Sequence, residues 1–281
     1  AFNNTPSPTL AAHAIRAAVA RAGVDPAEIE DVVMGSALQQ GCQYTIGRNA
    51  ALRAGLPVTV SGQSIDRQCA SGLMAIAIAA KQVMVDGMDV CVAGGVESIS
   101  LVQTPELRTT TDPELLDMVP NAYMPMLQTA ETVAARYGIA RDVQDQYALR
   151  SQERTAAAQD RGAFDDEIVP VDTVMAVKDK ETGEVSMQRI RLTADEGNRS
   201  DTTLEGLSSL KPVMGQGSVI TAGNASQLSD GASACVIVEA GLAVARGLKP
   251  LGRYVGMAVA GTEPDEMGIG PIAAVPKLLR N

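Results

Sequence analysis

Cys69 is the residue whose type and setting point most directly to chemistry. It stands between an apolar run over residues 57–65 and a glycine-punctuated segment with helical spacing that begins Ala70-Ser71-Gly72-Leu73. A thiol at the first turn of a helix faces unpaired backbone N–H groups, which favour the nucleophilic thiolate. Because this effect is worth at most about 2 kcal/mol, we expect that such a nucleophile also needs a base.

The other cysteines and the only histidine are weaker candidates. Cys91 and Cys235 lie in apolar, strand-like runs and are expected in the core, whereas Cys42 fits a loop. His13 falls on the polar side of a predicted helix, so we expect it at the surface rather than as the base. The spacing of the cysteines matches no metal site.

Composition narrows the class of protein. The chain has 281 residues, of which 46% are hydrophobic, enough for one large domain or two modest ones. A net charge of -10 argues against a nucleic-acid scaffold, because phosphate binding needs a basic face. Four cysteines without CxxC pairs favour reduced thiols and a cytoplasmic location. No targeting segment is visible, and apolar stretches such as residues 73–80 are expected to fall short of a membrane span.

Helical and strand-like patterns alternate in the N-terminal part of the chain. Strands separated by helices imply a sheet that is covered on both faces. The predicted helices cover residues 7–22, 47–54 and 69–86, and the predicted strands cover residues 29–35, 57–65 and 90–95.

The character changes between about residues 101 and 217, where prolines and charges become frequent. We interpret this stretch as an insertion with a long helix that ends near Gly162 and a surface hairpin over residues 178–191. The alternation then resumes. Strands are predicted at 219–221, 232–238 and 251–259, with a helix to Arg246 and another from Pro271 to Asn281.

Short motifs in a fixed order connect the chain to a known family. They are Asp66-Arg67-Gln68-Cys69-Ala70-Ser71-Gly72, Ala93-Gly94-Gly95-Val96-Glu97-Ser98, Asp201-Thr202-Thr203-Leu204-Glu205, Thr221-Ala222-Gly223-Asn224-Ala225-Ser226 with Ser229-Asp230-Gly231-Ala232, and Met267-Gly268-Ile269-Gly270-Pro271. With these motifs the sequence resembles, over essentially its whole length, the thiolases, acyl-CoA C-acyltransferases that cleave or form 3-ketoacyl-CoA.

The resemblance implies an α/β fold of the thiolase-like layered αβαβα type. Two similar halves, each with a mixed five-stranded sheet, pack as five layers, and a loop domain is inserted in the first half. On this chain, the N-terminal half would be residues 1–100 and 215–247, the loop domain 101–214, and the start of a truncated C-terminal half 248–281.

The resemblance also implies a ping-pong acyl transfer with coenzyme A as cosubstrate and without a permanently bound cofactor or metal. The Cys69 thiolate would attack the 3-keto carbon and acetyl-CoA would leave. The acyl group would then stay on Cys69 until a second CoA thiol takes it. The backbone N–H of Cys69 is expected to help hold the thioester oxygen.

Further residues match positions that contact CoA or the acyl group in the family. Arg199 would approach the nucleotide end of CoA, Ala222 and Ser226 would line the pantetheine, and Met126 would lie beside the reacting acyl group. A guanidinium suits phosphate, and small residues suit a narrow tunnel. Asn224 and Ser226 have the alternative of shaping a turn.

Departures from the family pattern limit what the resemblance implies. Leu127 and Gln227 replace residues that are usual near the acyl pocket and the pantetheine, so the preferred substrate length is not fixed. The family's Asn-Glu-Ala-Phe, Gly-His-Pro and Cys-x-Gly-Gly-Gly stretches do not occur in the sequence. We therefore interpret the chain as a thiolase without its first strand and its C-terminal part, and expect that as given it cannot complete the reaction.

Several functions stay open at this point. The leading one is a degradative 3-ketoacyl-CoA thiolase of fatty acid metabolism. The alternatives are a biosynthetic acetoacetyl-CoA thiolase, a non-catalytic CoA-binding or assembly module, and a ketoacyl synthase. The expected partners are acyl-CoA, CoA and further copies of the chain in a homodimer or homotetramer, with no nucleic acid or membrane.

Overall fold

The computed structural model describes residues 1–107 and 110–280. The helices are α1 (Ser7–Ala22), α2 (Ile46–Ala54), α3 (Ser71–Val85), α4 (Ile99–Val102), α5 (Pro113–Met118), α6 (Met126–Arg136), α7 (Arg141–Asp160), α8 (Leu204–Ser209), α9 (Ala240–Ala245) and α10 (Gly270–Leu279). The strands are β1 (Asp31–Gly35), β2 (Ser61–Ile65), β3 (Val90–Glu97), β4 (Val171–Lys178), β5 (Val185–Leu192) and β6 (Gly231–Val238).

The chain forms two compact units. The first unit comprises Ala1–Arg108, Val169–Ala194 and Leu228–Val255, and the second comprises Thr109–Ile168, Asp195–Gln227 and Gly256–Asn281. The hairpin of β4 and β5 therefore belongs to the first unit. The predicted partition into 1–100 with 215–247, 101–214 and 248–281 concerns repeated halves rather than compactness, and it stays a prediction.

The first unit is built on a mixed four-stranded sheet in the order β2-β1-β3-β6. Strand β1 pairs in parallel with β2 and β3, and β6 runs antiparallel to β3. Within β1, Val32 and Met34 contact α1 and α2 on one face, whereas Val33 contacts α3 on the other. This two-residue period confirms the prediction of a sheet covered on both faces.

Glycines bring the start of α3 directly against the sheet. A Cβ atom on Gly35, at the end of β1, would lie 2.2 Å from the carbonyl carbon of Ser71 and 2.4 Å from the nitrogen of Gly72. A Cβ atom on Gly95 of β3 would lie 3.2 Å from the Cα of Gly72. At Gly35 only a residue without a side chain allows this approach, which fixes the helix turn that follows Cys69.

Most predicted elements form, with two exceptions among the strands. The helices over 7–22 and 47–54 and the surface hairpin are confirmed, and so is the helix predicted from Pro271, although Asn281 lies outside the described residues. The strand predicted at 251–259 is wrong, since no ladder partner pairs with it in the described part of the chain and Leu251 is fully exposed. Residues 219–221 form only one isolated bridge, between Pro212 and Thr221.

One stretch of the described residues is long and apolar enough to cross a membrane. Gln68–Val85 spans 18 residues with a mean hydropathy of 1.4, which corrects the expectation that apolar stretches fall short of that length. In the structure this stretch contains α3, whose Ala75 and Ala79 pack on the sheet. Core helices have the same composition, so the absence of a membrane partner stays a prediction.

In the second unit an ionic cluster attaches residues 264–269 to α6. Arg136 contacts Asp265 at 2.9 Å and Glu266 at 2.6 Å, and the hydroxyl of Tyr137 donates to Glu266 at 3.0 Å. The hydrogen bonds from Arg136 hold the pKa values of both carboxyls below their ordinary range. The cluster thus stabilises the short helical segment that leads into α10.

Candidate active site

Cys69 lies in a tight turn between β2 and α3. Gln68, directly before it, has a φ of 48°, a left-handed conformation that is uncommon for a residue with a side chain. The N–H of Ala70 donates to the carbonyl of Arg67 at 3.1 Å, and the N–H of Ser71 donates to that of Gln68 at 3.0 Å. The Ser71 hydroxyl also accepts from the Arg67 N–H at 2.8 Å and donates to the Gln68 carbonyl at 2.5 Å. The turn is therefore rigidly defined on both sides of the thiol.

The four cysteines differ sharply in environment. Cys69 is exposed, Cys91 is buried, and Cys42 and Cys235 are intermediate. Burial, with smaller contributions from Asp31 and Glu30, raises the pKa of Cys91 to about 12, and burial also raises the pKa of Cys235. The core position predicted for Cys91 is confirmed, whereas Cys235 is only partly buried. Both therefore remain thiols at neutral pH.

His13 is only partly exposed, so the expectation of a surface position is met in part. The side chain is half-buried on α1, and its Nε2 atom is enclosed without a hydrogen-bond partner.

A buried polar network holds the loop after β1 against the end of β3. Gln43 is fully buried, and its Oε1 accepts from the Ser7 hydroxyl at 2.8 Å and the Ser98 N–H at 2.7 Å. Its Nε2 donates to the Glu97 carboxylate at 2.5 Å, and that carboxylate accepts the Ala37 N–H at 2.7 Å. This is the edge where the parallel strands end and from which the Cys69 turn emerges. Such edges are the usual place of ligand sites in parallel sheets.

The other predicted site residues belong to the second unit. Met126 is the first residue of α6, after Pro125, and is 58% exposed. Arg199 is exposed, and its backbone N–H donates to Oε1 of Gln152 at 2.9 Å. Its guanidinium forms no ion pair within the described residues.

Ala222 and Ser226 are exposed on a turn that Asn224 shapes. Oδ1 of Asn224 accepts the N–H of Thr221 at 2.8 Å, and its Nδ2 donates to Oδ1 of Asp145 at 3.0 Å. Of the two roles considered for Asn224, the structural one is thus present. A contact between Ser226 and a ligand stays a prediction.

The second unit links two of its predicted ligand segments. Nε2 of Gln227, one residue after Ser226, donates to the carbonyl of Gly197 at 2.5 Å, two residues before Arg199. The long side chain at position 227 is thus directed to the Arg199 segment. Cys69 lies in the first unit, whereas Met126, Arg199, Ala222 and Ser226 lie in the second.

Sequence reasoning missed the residues that hold these segments. Gln43 gave no signal because a glutamine in a polar loop is ordinarily solvated. Asp145 was also missed, because in a helix as polar as α7 a carboxylate normally faces solvent. Only its partner, Asn224, belonged to a recognised motif.

Comparison with known proteins decides the family. The family model described as "Thiolase, N-terminal domain" matches residues 1–241. The chain belongs to the thiolase family. A solved structure, that of the Bacillus anthracis acetyl-CoA acetyltransferase, supports the thiolase-type fold. It matches this chain with a TM-score of 0.83 and 37% sequence identity. The match covers 99% of this chain and 71% of that one.

Curated thiolase relatives match nearly the whole chain. The 3-ketoacyl-CoA thiolase of Bacillus subtilis strain 168 is 39% identical over 274 residues, which cover 96% of this chain and 69% of the relative. The acetyl-CoA acetyltransferase of Cupriavidus necator is 39% identical over 287 residues, covering 98% of this chain and 70% of the relative. These names place the protein among the thiolase-type acyltransferases, whose substrates are acyl-CoA and CoA.

Proposed function

We propose that the protein is a 3-ketoacyl-CoA thiolase in which Cys69 carries the acyl group. The observation that supports this most strongly is the position of Cys69. It is an exposed thiol on a tightly bonded turn at the start of α3, beside the carboxyl ends of parallel strands. The buried Cys91 and the partly buried Cys235 are unsuited to the role because their thiols resist ionisation.

The proposed reaction has two acyl-transfer steps. The Sγ atom of Cys69 forms a bond to the 3-keto carbon, and the bond between C2 and C3 breaks. The electron pair stays with C2, which takes up a proton and leaves as acetyl-CoA. The CoA thiol then gives up its proton, which balances the one taken up by C2, and attacks the thioester carbonyl, so that Cys69 departs as thiolate. The Cys69 N–H is proposed to stabilise the oxyanion, while no residue of this chain is assigned as the base.

CoA is proposed to be held by Arg199, Ala222, Ser226 and Met126. The exposed Arg199 supplies the local positive charge that a polyanionic ligand needs on a chain with a net charge of -10. Ala222 and Ser226, which are small and exposed on one turn, suit a narrow pantetheine tunnel. A cytoplasmic location and a homodimer or homotetramer remain proposals based on the family.

The test is thiolysis of a 3-ketoacyl-CoA by protein expressed from the complete coding sequence, compared with its Cys69→Ser variant. We expect the substitution to reduce kcat by about 10³-fold or more, because no other group replaces a covalent nucleophile. Cys42→Ser, at the partly exposed cysteine, is the matched control and should retain activity. Full thiolysis by Cys69→Ser would refute the role of Cys69. CoA binding without thiolysis by the unsubstituted protein would instead favour a non-catalytic CoA-binding module.

A further inference from the structure

Helix α7 buries one carboxylate, Asp145, besides Ala158. Asp145 is 1% exposed, whereas the larger apolar side chains Val143 and Tyr147 are 53% and 69% exposed. Asp145, Gln152 and Gln159 repeat at intervals of seven residues and so share one face, successive members lying about 10 Å apart along the helix axis. This set is called the polar face of α7 below.

The first member of the polar face holds the turn that carries Ala222 and Ser226. Oδ1 of Asp145 accepts a hydrogen bond from Nδ2 of Asn224. The same Nδ2 group also donates to the carbonyl of Val219 at 3.1 Å. The other carboxylate oxygen of Asp145 accepts Nε of Arg141 at 2.8 Å. This buried carboxylate is therefore fully engaged, and it fixes Asn224 in the orientation that closes the turn.

The other two members hold the segment that carries Arg199. Oε1 of Gln152 accepts the Arg199 N–H and Nδ2 of Asn198, both at 2.9 Å, and the Gln152 carbonyl accepts the same Nδ2 group at 2.9 Å. Nε2 of Gln159 donates to the carbonyl of Asp195 at 3.3 Å. Two helical turns of α7 thus separate the support of Arg199 from that of the Ser226 turn.

We infer that the polar face of α7 positions the CoA-contacting segments without touching CoA itself. Asp145 holds the segment assigned to the pantetheine in place, and Gln152 holds the segment assigned to the nucleotide. Because both residues lie on one helix, their spacing fixes the distance between the two ends of the ligand site. This inference rests on the proposed function, which assigns Arg199, Ala222 and Ser226 to CoA.

The test separates the two ends of the ligand by calorimetric titration with CoA and with pantetheine, which lacks the nucleotide. Gln152→Met keeps the length of the side chain but removes the acceptor for Arg199. We expect it to weaken CoA binding about tenfold and to leave pantetheine binding unchanged. Gln152→Glu keeps an acceptor oxygen and should restore most of the CoA affinity. Gln146→Met, on the exposed side of α7, is the matched control and should bind CoA normally.

The outcomes distinguish this inference from the proposed function. CoA affinity unchanged in Gln152→Met, or an equal loss for CoA and pantetheine, would overturn the positioning role of Gln152. Failure of the unsubstituted protein to bind CoA would overturn the proposed function and this inference together. Amide hydrogen exchange of the unsubstituted protein gives a readout that does not depend on variant folding. The Arg199 N–H should be protected, and exchange at the rate of an open loop would contradict its bond to Gln152.

Discussion

At the scale of single residues, environment separates one cysteine from the rest. Cys69 is exposed on a turn between β2 and α3. Cys91 is buried in β3, one of the two central strands of the sheet, and its pKa is raised to about 12. The same side chain is thus accessible to solvent in one place and packed as a small apolar side chain in the other. The difference comes from burial and from the backbone around each thiol.

Three of the four thiols, those of Cys69, Cys42 and Cys91, should consequently react in a fixed order with iodoacetamide at pH 8. We expect Cys69 to be alkylated first, Cys42 more slowly, and Cys91 only after unfolding, because burial suppresses both access and ionisation. Peptide mapping by mass spectrometry at successive times measures the order. Alkylation of Cys91 as fast as that of Cys69 in the folded protein would contradict these environments.

The sequence singled out Cys69, whose role as nucleophile stays a prediction, but it did not reveal the polar residues that hold the predicted site segments. Cys69 could be found because a motif of local backbone geometry surrounds it. Gln43 and Asp145 could not, because their burial depends on chain segments distant in sequence. A polar side chain is recognisable as a support only when its partners are known.

At the scale of elements, backbone contacts determine where Cys69 lies. The first turn of α3 rests on β1 and β3 through Gly35, Gly72 and Gly95. A side chain at Gly35 would push the helix, and Cys69 with it, away from the strand ends.

Gly35→Ala should therefore be destabilising. Its Cβ atom would meet backbone atoms of Ser71 and Gly72 that cannot rotate away, and we expect a loss of about 1–3 kcal/mol in the free energy of unfolding. Urea denaturation measures it. Gly231→Ala in β6, where nothing lies within 4 Å of the new atom, is the control and should change stability by less than about 0.5 kcal/mol. Equal effects of the two substitutions would refute the close approach.

The ionic cluster on α6 predicts a pH-dependent contribution to stability. Arg136 lowers the pKa values of Asp265 and Glu266, so its contribution is present above their unfolded pKa values of about 4 and is lost as the pH falls through the lowered values. Arg136→Met should lower Tm at pH 7, and its difference from the unsubstituted protein should vanish in acid.

The control for that series is Arg154→Met, at an exposed position on α7. It should leave Tm nearly unchanged throughout the same pH range. A Tm difference for Arg136→Met that persists or grows as the carboxyls protonate would show that packing, rather than charge, links α6 to residues 264–269.

Elements could be predicted where local pattern and long-range pairing agree. The helix at 7–22 and the strand at 90–95 have strong periodicity and also find partners in the sheet or on its faces. Residues 251–259 have the apolar pattern of a strand, yet they form no ladder in the described part of the chain. A strand needs another strand to accept its hydrogen bonds, and no sequence pattern within it supplies one.

At the scale of the whole molecule, the order of motifs was the most informative signal. It predicted the layered α/β fold and the thiolase family. Several glycine-rich and turn motifs occur in the same order in two proteins only where both chains must form the same backbone. The division into two compact units was not predicted, since it depends on where the β4–β5 hairpin packs.

At this scale we predict that copies of the protein associate with one another. By resemblance to the family, protein expressed from the complete coding sequence should form a homodimer or homotetramer. Sedimentation equilibrium at micromolar concentration measures the mass. A single monomeric species over the whole concentration range would contradict it.

The most direct test of the central claim is to trap the acyl group on the enzyme. The protein is incubated with a 3-ketoacyl-CoA that carries an isotopic label in its acyl chain, quenched in acid and mapped by mass spectrometry. We predict one labelled acyl group per chain on the peptide that contains Cys69, and its loss when free CoA is added before quenching. Label on any other residue, or turnover without a CoA-labile label on Cys69, would contradict the account.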